Sequence, residues 1–267
     1  MNLKNRTHIM GILNITPDSF YKESRVISVN TALKRADKMI REGADILDIG
    51  GESSRPGSNP VSEEEELKRI LPVINGLIKK FDIPVSVDTY KSAVARAVLE
   101  EGVSIINDIS GLRFDPNMAK TIASANAGVI IMHISGKPKT MQKNPSYKSL
   151  MREITAYLKR GIKQAVSSGI KESSIIVDPG IGFGKKFSHN ITILKKLKQL
   201  QKLKKPILLG LSRKSFIGKI LDLPVEERLE GSIAASVFGI LNGAQILRTH
   251  DVKETKRALA VADAIVH

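Results

Sequence analysis

Three acidic or amide residues in this chain have the chemistry to hold a flat polar ring. Asp88, Asn107 and Asp178 each end a short apolar run. A carboxylate and a carboxamide at such positions can pair with the N–H donors and ring acceptors of a heterocycle. For each residue alone, capping of a helix or a bond to a loop amide is an equally good interpretation. The three together favour a binding site.

Basic residues follow two later apolar runs. The segment GLSRKS at residues 210–215 contains two hydroxyls and two cations, and Arg248 and His250 follow the last run. Phosphate often binds at the seventh and eighth strand ends of barrel enzymes, near the free amides of a helix N-terminus. A solvated basic turn is the alternative for residues 210–215. Taken together, the two segments predict an anion pocket.

Two further features leave more than one interpretation open. His133 follows an apolar run and is either a satisfied structural residue or a direct participant. The glycine-rich segment 178–184 lacks the spacing of a dinucleotide fingerprint, so its glycines are better explained by close approach of the backbone to a ligand. The spacing of His, Asp and Glu predicts no permanently held metal. A Mg²⁺ ion that arrives with a substrate phosphate needs only one protein oxygen.

Eight apolar runs would position these residues. They lie at residues 8–13, 45–47, 83–87, 103–106, 129–132, 175–177, 207–211 and 245–247. Runs of Ile, Val and Leu suit strands buried on both faces of a parallel sheet, and polar residues at their carboxyl ends suit the active site of a (β/α)₈ barrel. The fold class is therefore predicted to be α/β, a single TIM barrel spanning residues 1–267, close to the roughly 250 residues typical of that fold.

Segments of helical period alternate with these runs. They cover residues 28–43, 62–77, 91–101, 116–125, 147–168, 190–201, 225–241 and 252–266, and Pro72 is expected to kink or divide the second. Long connections rich in turn formers follow the first and second strands, at residues 16–27 and 50–60, and a third spans residues 135–147. Loops of this length are often binding loops, so we expect these to border the site.

Composition narrows the class of protein. The chain contains no cysteine, which excludes disulfides and thiolate metal sites, and no apolar run approaches the roughly 20 residues of a membrane span. We therefore expect a cytoplasmic protein without a membrane partner. The net charge of +15 includes a lysine-rich stretch at residues 195–205 with little aromatic interleaving. A solvated face is favoured there, steering of a polyanionic substrate comes second, and nucleic-acid binding is not expected.

Seven motifs give the chain a resemblance to the dihydropteroate synthase family along nearly its whole length. They are MGILNITPDSF at residues 10–20, DIGGESSRPG at 48–57, SVDT at 86–89, IND at 106–108, DPGIGFGK at 178–185, SRKS at 212–215 and RTHD at 248–251. Any one of them is moderately specific, but their occurrence in this order is highly specific.

The resemblance implies a transferase of folate biosynthesis. Such an enzyme condenses 6-hydroxymethyl-7,8-dihydropterin diphosphate with p-aminobenzoate to give 7,8-dihydropteroate and diphosphate. It also implies Mg²⁺ that arrives with the diphosphate, a homodimer formed through a helical face, and a target for sulfonamides, which imitate p-aminobenzoate.

Matching motif positions carry over the following residue roles. The pterin would contact Asp88, Asn107, Met132, Asp178, Phe183, Gly210 and Lys214. The p-aminobenzoate would lie among Thr16, Pro17, Asp18, Ser19, Phe20, Ser53, Ser54, Arg55, Ser212 and Lys214. Diphosphate would contact Asn14, Arg55, Arg248 and His250, with Asn14 also touching Mg²⁺.

The chemistry of the reaction agrees with these roles. An arylamine is a weak nucleophile, so breaking the C–O bond to diphosphate limits the reaction and builds opposite charges on the pterin and the leaving group. Carboxylates near the ring and cations near the phosphates stabilise this separation. We therefore expect an ionisation-first substitution with Asp88, Asp178, Lys214, Arg248 and His250 as its catalytic residues.

The chain departs from the family pattern at two places. Residues 21–24 are YKES where the family more often has a serine, an aspartate and two glycines, and Ser135 stands where glutamine is frequent.

Two alternative functions remain. A pterin-dependent methyltransferase on the same barrel would not need the cations at residues 212–214 and 248–250. A noncatalytic relative that binds a pterin or a polyanion would show binding without product.

Overall fold

Eight parallel strands form the centre of the molecule in a computed structural model that describes residues 6–15 and 29–266. The strands are β1 (His8–Asn14), β2 (Ile46–Gly50), β3 (Val85–Asp88), β4 (Ile105–Asp108), β5 (Gly128–Met132), β6 (Ile175–Asp178), β7 (Leu208–Gly210) and β8 (Ile246–Thr249). They pair in the order β6-β5-β4-β3-β2-β1-β8-β7. An isolated parallel bridge between Val177 and Ile207 joins the two edge strands and closes the sheet into a barrel.

Helices surround the barrel. They are α1 (Val29–Arg41), α2 (Glu63–Lys80), α3 (Ser92–Glu100), α4 (Met118–Ser124), α5 (Leu150–Ser167), α6 (Phe187–Lys195), α7 (Ser215–Leu221), α8 (Leu229–Leu241) and α9 (Val252–Val266). Aliphatic side chains from the strands and from the inner faces of these helices form the main core between the two layers. The predicted α/β barrel is therefore confirmed.

Two expectations about the helices are corrected by the structure. The segment after β7 contains a separate helix, α7, which the sequence pattern did not predict because seven residues make fewer than two apolar repeats. The second helix is not divided at Pro72, since α2 runs unbroken from Glu63 to Lys80, whereas the kink, the other outcome expected there, stays a prediction. Pro72 is exposed, so water can replace the hydrogen bond that its missing N–H removes.

The barrel interior is built in two layers that explain where the polar residues lie. An apolar layer contains the buried residues Met10, Ile46, Ile130, Leu208 and Ile246, with Ile105 and Ile176 packed against it. Side chains two residues further along a strand point to the same side. That step places Asp48, Asn107, Met132, Asp178, Gly210 and Arg248 in the next layer, towards the carboxyl ends of the strands.

In residues 6–15 and 29–266, no helix combines the length and the apolar character that crossing a membrane requires.

Candidate active site

The strand ends bring the predicted ring-binding residues to one end of the barrel. Asp88 and Asn107 are register partners on β3 and β4, and Met132 is the register partner of Asp178 on β5 and β6. Asp178 is 6% exposed and Asn107 4% exposed, so both lie inside the barrel mouth. Met132 packs in a small apolar cluster that also contacts Phe183. These side chains therefore border a common space.

Arg248 links the expected anion pocket to the expected ring pocket. Its Nε donates to Oδ2 of Asp48 at 2.5 Å, and its Nη2 donates to Oδ2 of Asp88 at 3.0 Å. The same Asp48 oxygen accepts a hydrogen bond from Nδ2 of Asn107 at 3.1 Å. Arg248 thus touches the carboxylate expected to hold the ring, which places the two halves of the site side by side.

Burial changes the acidity of both ring-binding carboxylates. It raises the pKa of Asp88 above its usual range; the Arg248 guanidinium opposes this rise and the neighbouring Asp48 carboxylate adds to it. Burial also raises the pKa of Asp178 to about 6, against the effects of the Gly180 amide and of Lys214. Two neighbouring carboxyl groups whose pKa values are raised towards neutrality are typical of a functional site.

The glycine-rich segment after β6 forms a tight arch against the end of β5. The Gly180 amide donates to Oδ1 of Asp178 at 2.6 Å, and Gly180 has a φ of +67°. A Cβ atom at Gly180 would lie only 2.0 Å from the His133 carbonyl oxygen. The close approach therefore occurs against the protein's own backbone, and it fixes the orientation of Asp178.

His133 has a structural position behind this arch. It is 3% exposed, and its Nδ1 lies 2.9 Å from Nζ of the equally buried Lys185. Lys185 also donates to the Phe183 carbonyl at 2.9 Å. Burial and the Lys185 charge lower the pKa of His133, so its ring is neutral and accepts from Lys185. Of the two roles left open by the sequence, the structure favours the structural one.

Lys214 reaches the opposite side of the same space. Its ammonium lies 4.4 Å from the centroid of the Phe183 ring. Burial and the nearby Arg248 lower the pKa of Lys214 to about 8, while Asp178 and Asp88 oppose this change. The pKa of Lys214 is thus close to neutrality, and its ammonium lies close to an aromatic face.

His250, the imidazole expected at the anion pocket, lies in a desolvated environment. Desolvation by the surrounding protein, followed by the Arg248 charge, lowers its pKa to about 4, so the ring is neutral at pH 7. The His250 amide donates to Oγ of Ser212 at 3.3 Å, and this hydroxyl lies 2.9 Å from Nδ1 of His250. A hydroxyl that accepts from the amide can donate to Nδ1, which leaves Nε2 as an N–H donor. His250 can thus bind an anion as a neutral hydrogen-bond donor.

A buried ionic network anchors the loop after β2. Lys91 lies 2.5 Å from both Oε2 of Glu52 and Oε2 of Glu66, and Tyr90 donates to Oε1 of Glu52 at 2.6 Å. The Val61 amide donates to Glu52 at 3.1 Å, which ties the end of the loop to its start. The intervening residues, Ser53, Ser54 and Arg55, are half-buried or exposed and are presented at the barrel mouth.

Asn14, expected to touch Mg²⁺, lies at the carboxyl end of β1. It ends β1 as the register partner of Gly50, and its Oδ1 lies close to that glycine. Among the residues that the structure describes, no group of three or more His, Cys, Asp or Glu side chains could hold a metal ion. An amide oxygen beside a phosphate site suits an ion that keeps most of its waters.

Several residues predicted for p-aminobenzoate lie outside the described part of the chain. They are Thr16, Pro17, Asp18, Ser19 and Phe20, and residues 21–24 with the departure from the family pattern lie there too. Ser212, also predicted for this substrate, is 9% exposed, and its Oγ forms a hydrogen bond with Nδ1 of His250.

Two residues at the site received no role from the sequence. Asp48 appears in a motif but is fully buried beneath the cavity, and Lys185 ends the glycine-rich motif. Asp48 directly follows the second apolar run and begins the motif at 48–57, and Lys185 ends the motif at 178–185, but neither signal indicated what the side chain contacts.

The chain is similar to proteins of known activity along its whole length. Residues 10–250 match the family model described as pterin binding enzyme. Dihydropteroate synthase of Clostridium beijerinckii is 47% identical over 266 residues, which cover 99% of this chain and 96% of that protein. The crystal structure of dihydropteroate synthase from Clostridium difficile in the presence of pteroic acid superposes with a TM-score of 0.94 at 46% identity, covering 99% of this chain and 98% of that one. Xanthomonas albilineans dihydropteroate synthase with 4-aminobenzoic acid gives a TM-score of 0.93 at 39% identity, covering 100% and 95%.

Proposed function

Because the chain belongs to the pterin-binding enzyme family, we propose that the residues at its barrel mouth divide the dihydropteroate synthase reaction between a ring site and an anion site. The reaction itself condenses 6-hydroxymethyl-7,8-dihydropterin diphosphate with p-aminobenzoate and belongs to folate biosynthesis. It makes the chain a transferase.

The 3.0 Å contact between Arg248 and Asp88 carries the proposed division of roles. It brings a guanidinium suited to diphosphate within hydrogen-bonding distance of a carboxylate suited to the pterin. A substrate with a ring at one end and a diphosphate at the other needs both groups at this separation. Neither a pterin-dependent methyltransferase nor a binding protein for the pterin alone needs the cation.

The ring site is formed by Asp88, Asn107, Asp178 and Lys214. The carboxylates and the amide pair with the edge of the pterin, while Met132, Phe183 and Gly210 shape its slot. As the C–O bond to diphosphate breaks, positive charge develops on the pterin methylene. Ionised Asp88 and Asp178 then stabilise that charge in a cavity with little water.

The anion site is formed by Arg248, Arg55, His250 and Asn14. Arg248 and Arg55 supply positive charge to the departing diphosphate, and neutral His250 donates a hydrogen bond. The Asn14 amide oxygen would hold Mg²⁺ that arrives with the substrate; such an ion neutralises phosphate charge. The loop residues Thr16, Pro17, Asp18, Ser19, Phe20, Ser53 and Ser54, together with Ser212, receive p-aminobenzoate, where sulfonamides would compete.

We further propose that the protein is a homodimer. Helices α6, α7 and α8 share an apolar face, here called the α6–α8 face. It exposes Phe187, Ile220, Leu221, Phe238 and Leu241. A groove of about 320 Å³ lies on this face between Ile217, Ala234 and Phe238. Exposed apolar patches of this kind usually mark an interface, and a second copy of the chain is a self-complementary occupant.

The remaining proposals concern organisation and location. Residues 1–267 act as one domain, since strands from both ends of the chain close the same barrel. A cytoplasmic location agrees with the lack of cysteine, because a chain without disulfides needs no oxidising compartment.

Product formation tests the proposed roles. The protein is incubated with the pterin diphosphate, p-aminobenzoate and Mg²⁺, and dihydropteroate and diphosphate are quantified. We expect Asp178→Asn and Arg248→Gln to lower kcat/KM by about 100-fold or more. Asp45→Asn is the matched control, because Asp45 pairs with Arg6 and the Ile9 amide at the opposite end of β2. Full activity in Asp178→Asn would refute the ring site, and binding without product would indicate the noncatalytic alternative.

A further inference from the structure

Asp48 is a fully buried acidic residue at the carboxyl-end layer of the barrel interior. It lies on β2, and one of its oxygens, Oδ2, accepts from both Asn107 and Arg248. These two partners belong to β4 and β8, on either side of the barrel interior. A single carboxylate oxygen therefore connects a residue of the ring site to a residue of the anion site.

The Arg248 guanidinium uses different nitrogens for its two carboxylates. Nε is bonded to Asp48 and Nη2 to Asp88. A pterin that pairs with Asp88 competes with Nη2 for that carboxylate, whereas it has no access to the buried Asp48. When the ring is bound, Asp48 is thus the described acidic partner that still holds Arg248. A bond to Nε leaves both terminal nitrogens of the planar guanidinium free for phosphate oxygens.

We propose that Asp48 is a positioning residue of the reaction. It holds Arg248 and Asn107 at a fixed separation, so that the diphosphate and the ring of one substrate are bound at the correct distance from each other. The inference rests on the proposed function, because it assigns Asp48 to the orientation of groups that act on the two halves of one substrate. Asp48 itself contacts neither half.

A purely structural ion pair is the competing explanation, and it makes different predictions. Buried ion pairs often contribute little net stability when both partners are present, and loss of one partner destabilises the fold. A structural role alone would lower activity towards both substrates together, in step with the loss of folded protein. A positioning role affects the pterin diphosphate selectively, because p-aminobenzoate is received by other residues.

Steady-state kinetics of Asp48→Asn separate these explanations. We expect KM for the pterin diphosphate to rise so that its kcat/KM falls about 100-fold, since small displacements of a binding group cost that much, and KM for p-aminobenzoate to stay within about twofold. Loss of folded protein would instead lower kcat and change neither KM. Asp45→Asn removes a paired aspartate from the other end of the same strand and should change neither constant. Wild-type activity, measured in the same assay, tests the proposed function separately.

The pH profile reports separately on the charge of Asp48. Asp88 lies within electrostatic reach of Arg248 and Lys214 and of the carboxylates of Asp48, Glu66 and Asp108. Because the Asp48 charge raises the pKa of Asp88, its removal should move the acidic limb of kcat/KM to lower pH, whichever role Asp48 has. Equal losses for both substrates would overturn the proposal.

A double variant keeps the test decisive if Asp48→Asn folds poorly. Removal of both members of a buried pair is better tolerated than removal of one. Because part of the effect of Asp48 passes through Arg248, the loss in Asp48→Asn combined with Arg248→Gln should be smaller than the product of the two single losses. Losses that multiply fully in the double variant would show that Asp48 acts independently of Arg248, and the proposal would fail.

Discussion

At the scale of single residues, the site holds ionisable groups close to neutrality by removing them from water. Burial raises the pKa of Asp88 and brings that of Asp178 to about 6, while it lowers that of Lys214 to about 8. The carboxylates are needed ionised to stabilise positive charge on the ring, and Lys214 is needed protonated to contact ring acceptors. The three groups are in the required states together only over a narrow range of pH.

The dependence of kcat/KM on pH should follow from these values. As pH falls through the raised pKa values of Asp88 and Asp178, both carboxylates become protonated and activity is lost. As pH rises through about 8, Lys214 loses its proton and activity falls again. We expect a bell-shaped profile with its maximum between about pH 7 and 8. Asp178→Asn should alter the acidic limb, which separates the enzyme's titration from that of the substrate; a flat wild-type profile from pH 5 to 9 would contradict the assignment.

Gly210 offers a test of the ring slot that leaves the backbone undisturbed. A Cβ atom there would meet only Arg248 Cβ, at 4.0 Å, so Gly210→Ala should fold normally. The added methyl group would project into the layer that receives the pterin. We expect KM for the pterin diphosphate to rise about tenfold, equivalent to about 1.4 kcal/mol, with an unchanged melting temperature. Unchanged kinetics in Gly210→Ala would remove Gly210 from the slot.

At the scale of secondary-structure elements, the barrel and most of its site residues could be predicted because each apolar run ends on its own polar residue. Asp88, Asn107 and Asp178 are placed at strand ends by local sequence alone. Asp48 could not be assigned, since its partners lie 59 and 200 residues away in sequence. The charge state of His250 likewise depends on protein packed around it from other parts of the chain.

The loop after β2 depends on the buried network formed by Lys91, Glu52 and Glu66. Their side chains are only 12%, 8% and 1% exposed, so loss of the ammonium would leave two carboxylates buried without a charge partner. We expect Lys91→Met to lower the free energy of unfolding by about 3 kcal/mol, as measured by urea denaturation. Because the loop carries Ser53, Ser54 and Arg55, KM for p-aminobenzoate should also rise.

An exposed ion pair provides the comparison for Lys91→Met. Arg41 pairs with Asp37 one turn away on α1, and its side chain is 78% exposed. Arg41→Ala should therefore cost less than about 1 kcal/mol. Equal losses of stability in the two variants would mean that the network does not anchor the loop.

At the scale of the whole molecule, a lysine-rich stretch adjoins the apolar α6–α8 face, and Lys195 lines the groove on that face. The lysines at residues 195, 196, 198, 202 and 204 are exposed, as expected of a solvated face, and Lys205 pairs with Glu172. Exposed cations attract polyanions over about 8 Å at physiological salt. The α6–α8 face, in contrast, is apolar at its centre and suits a second copy of the chain.

Disruption of the α6–α8 face should produce a monomer. Phe238 is 42% exposed on α8, and Phe238→Glu would place a charge in the proposed interface. We expect sedimentation velocity to show a dimer for the wild type and a monomer for this variant. Val261 is 62% exposed on α9, so Val261→Glu is a control that should remain dimeric. A wild-type protein that sediments as a monomer at micromolar concentration would refute the proposed dimer.

The isolated bridge between Val177 and Ile207 has a consequence for how ligands and the barrel affect one another. The two edge strands meet at this bridge, and Asp178 and Lys214 lie just beyond them on opposite sides of the seam. A pterin that contacts both residues would link the β6 side of the barrel to the β7 side for as long as it is bound. Binding of the pterin would then oppose separation of the two edge strands, and product release would permit it. Local opening of the barrel and release of product would therefore depend on the same contacts.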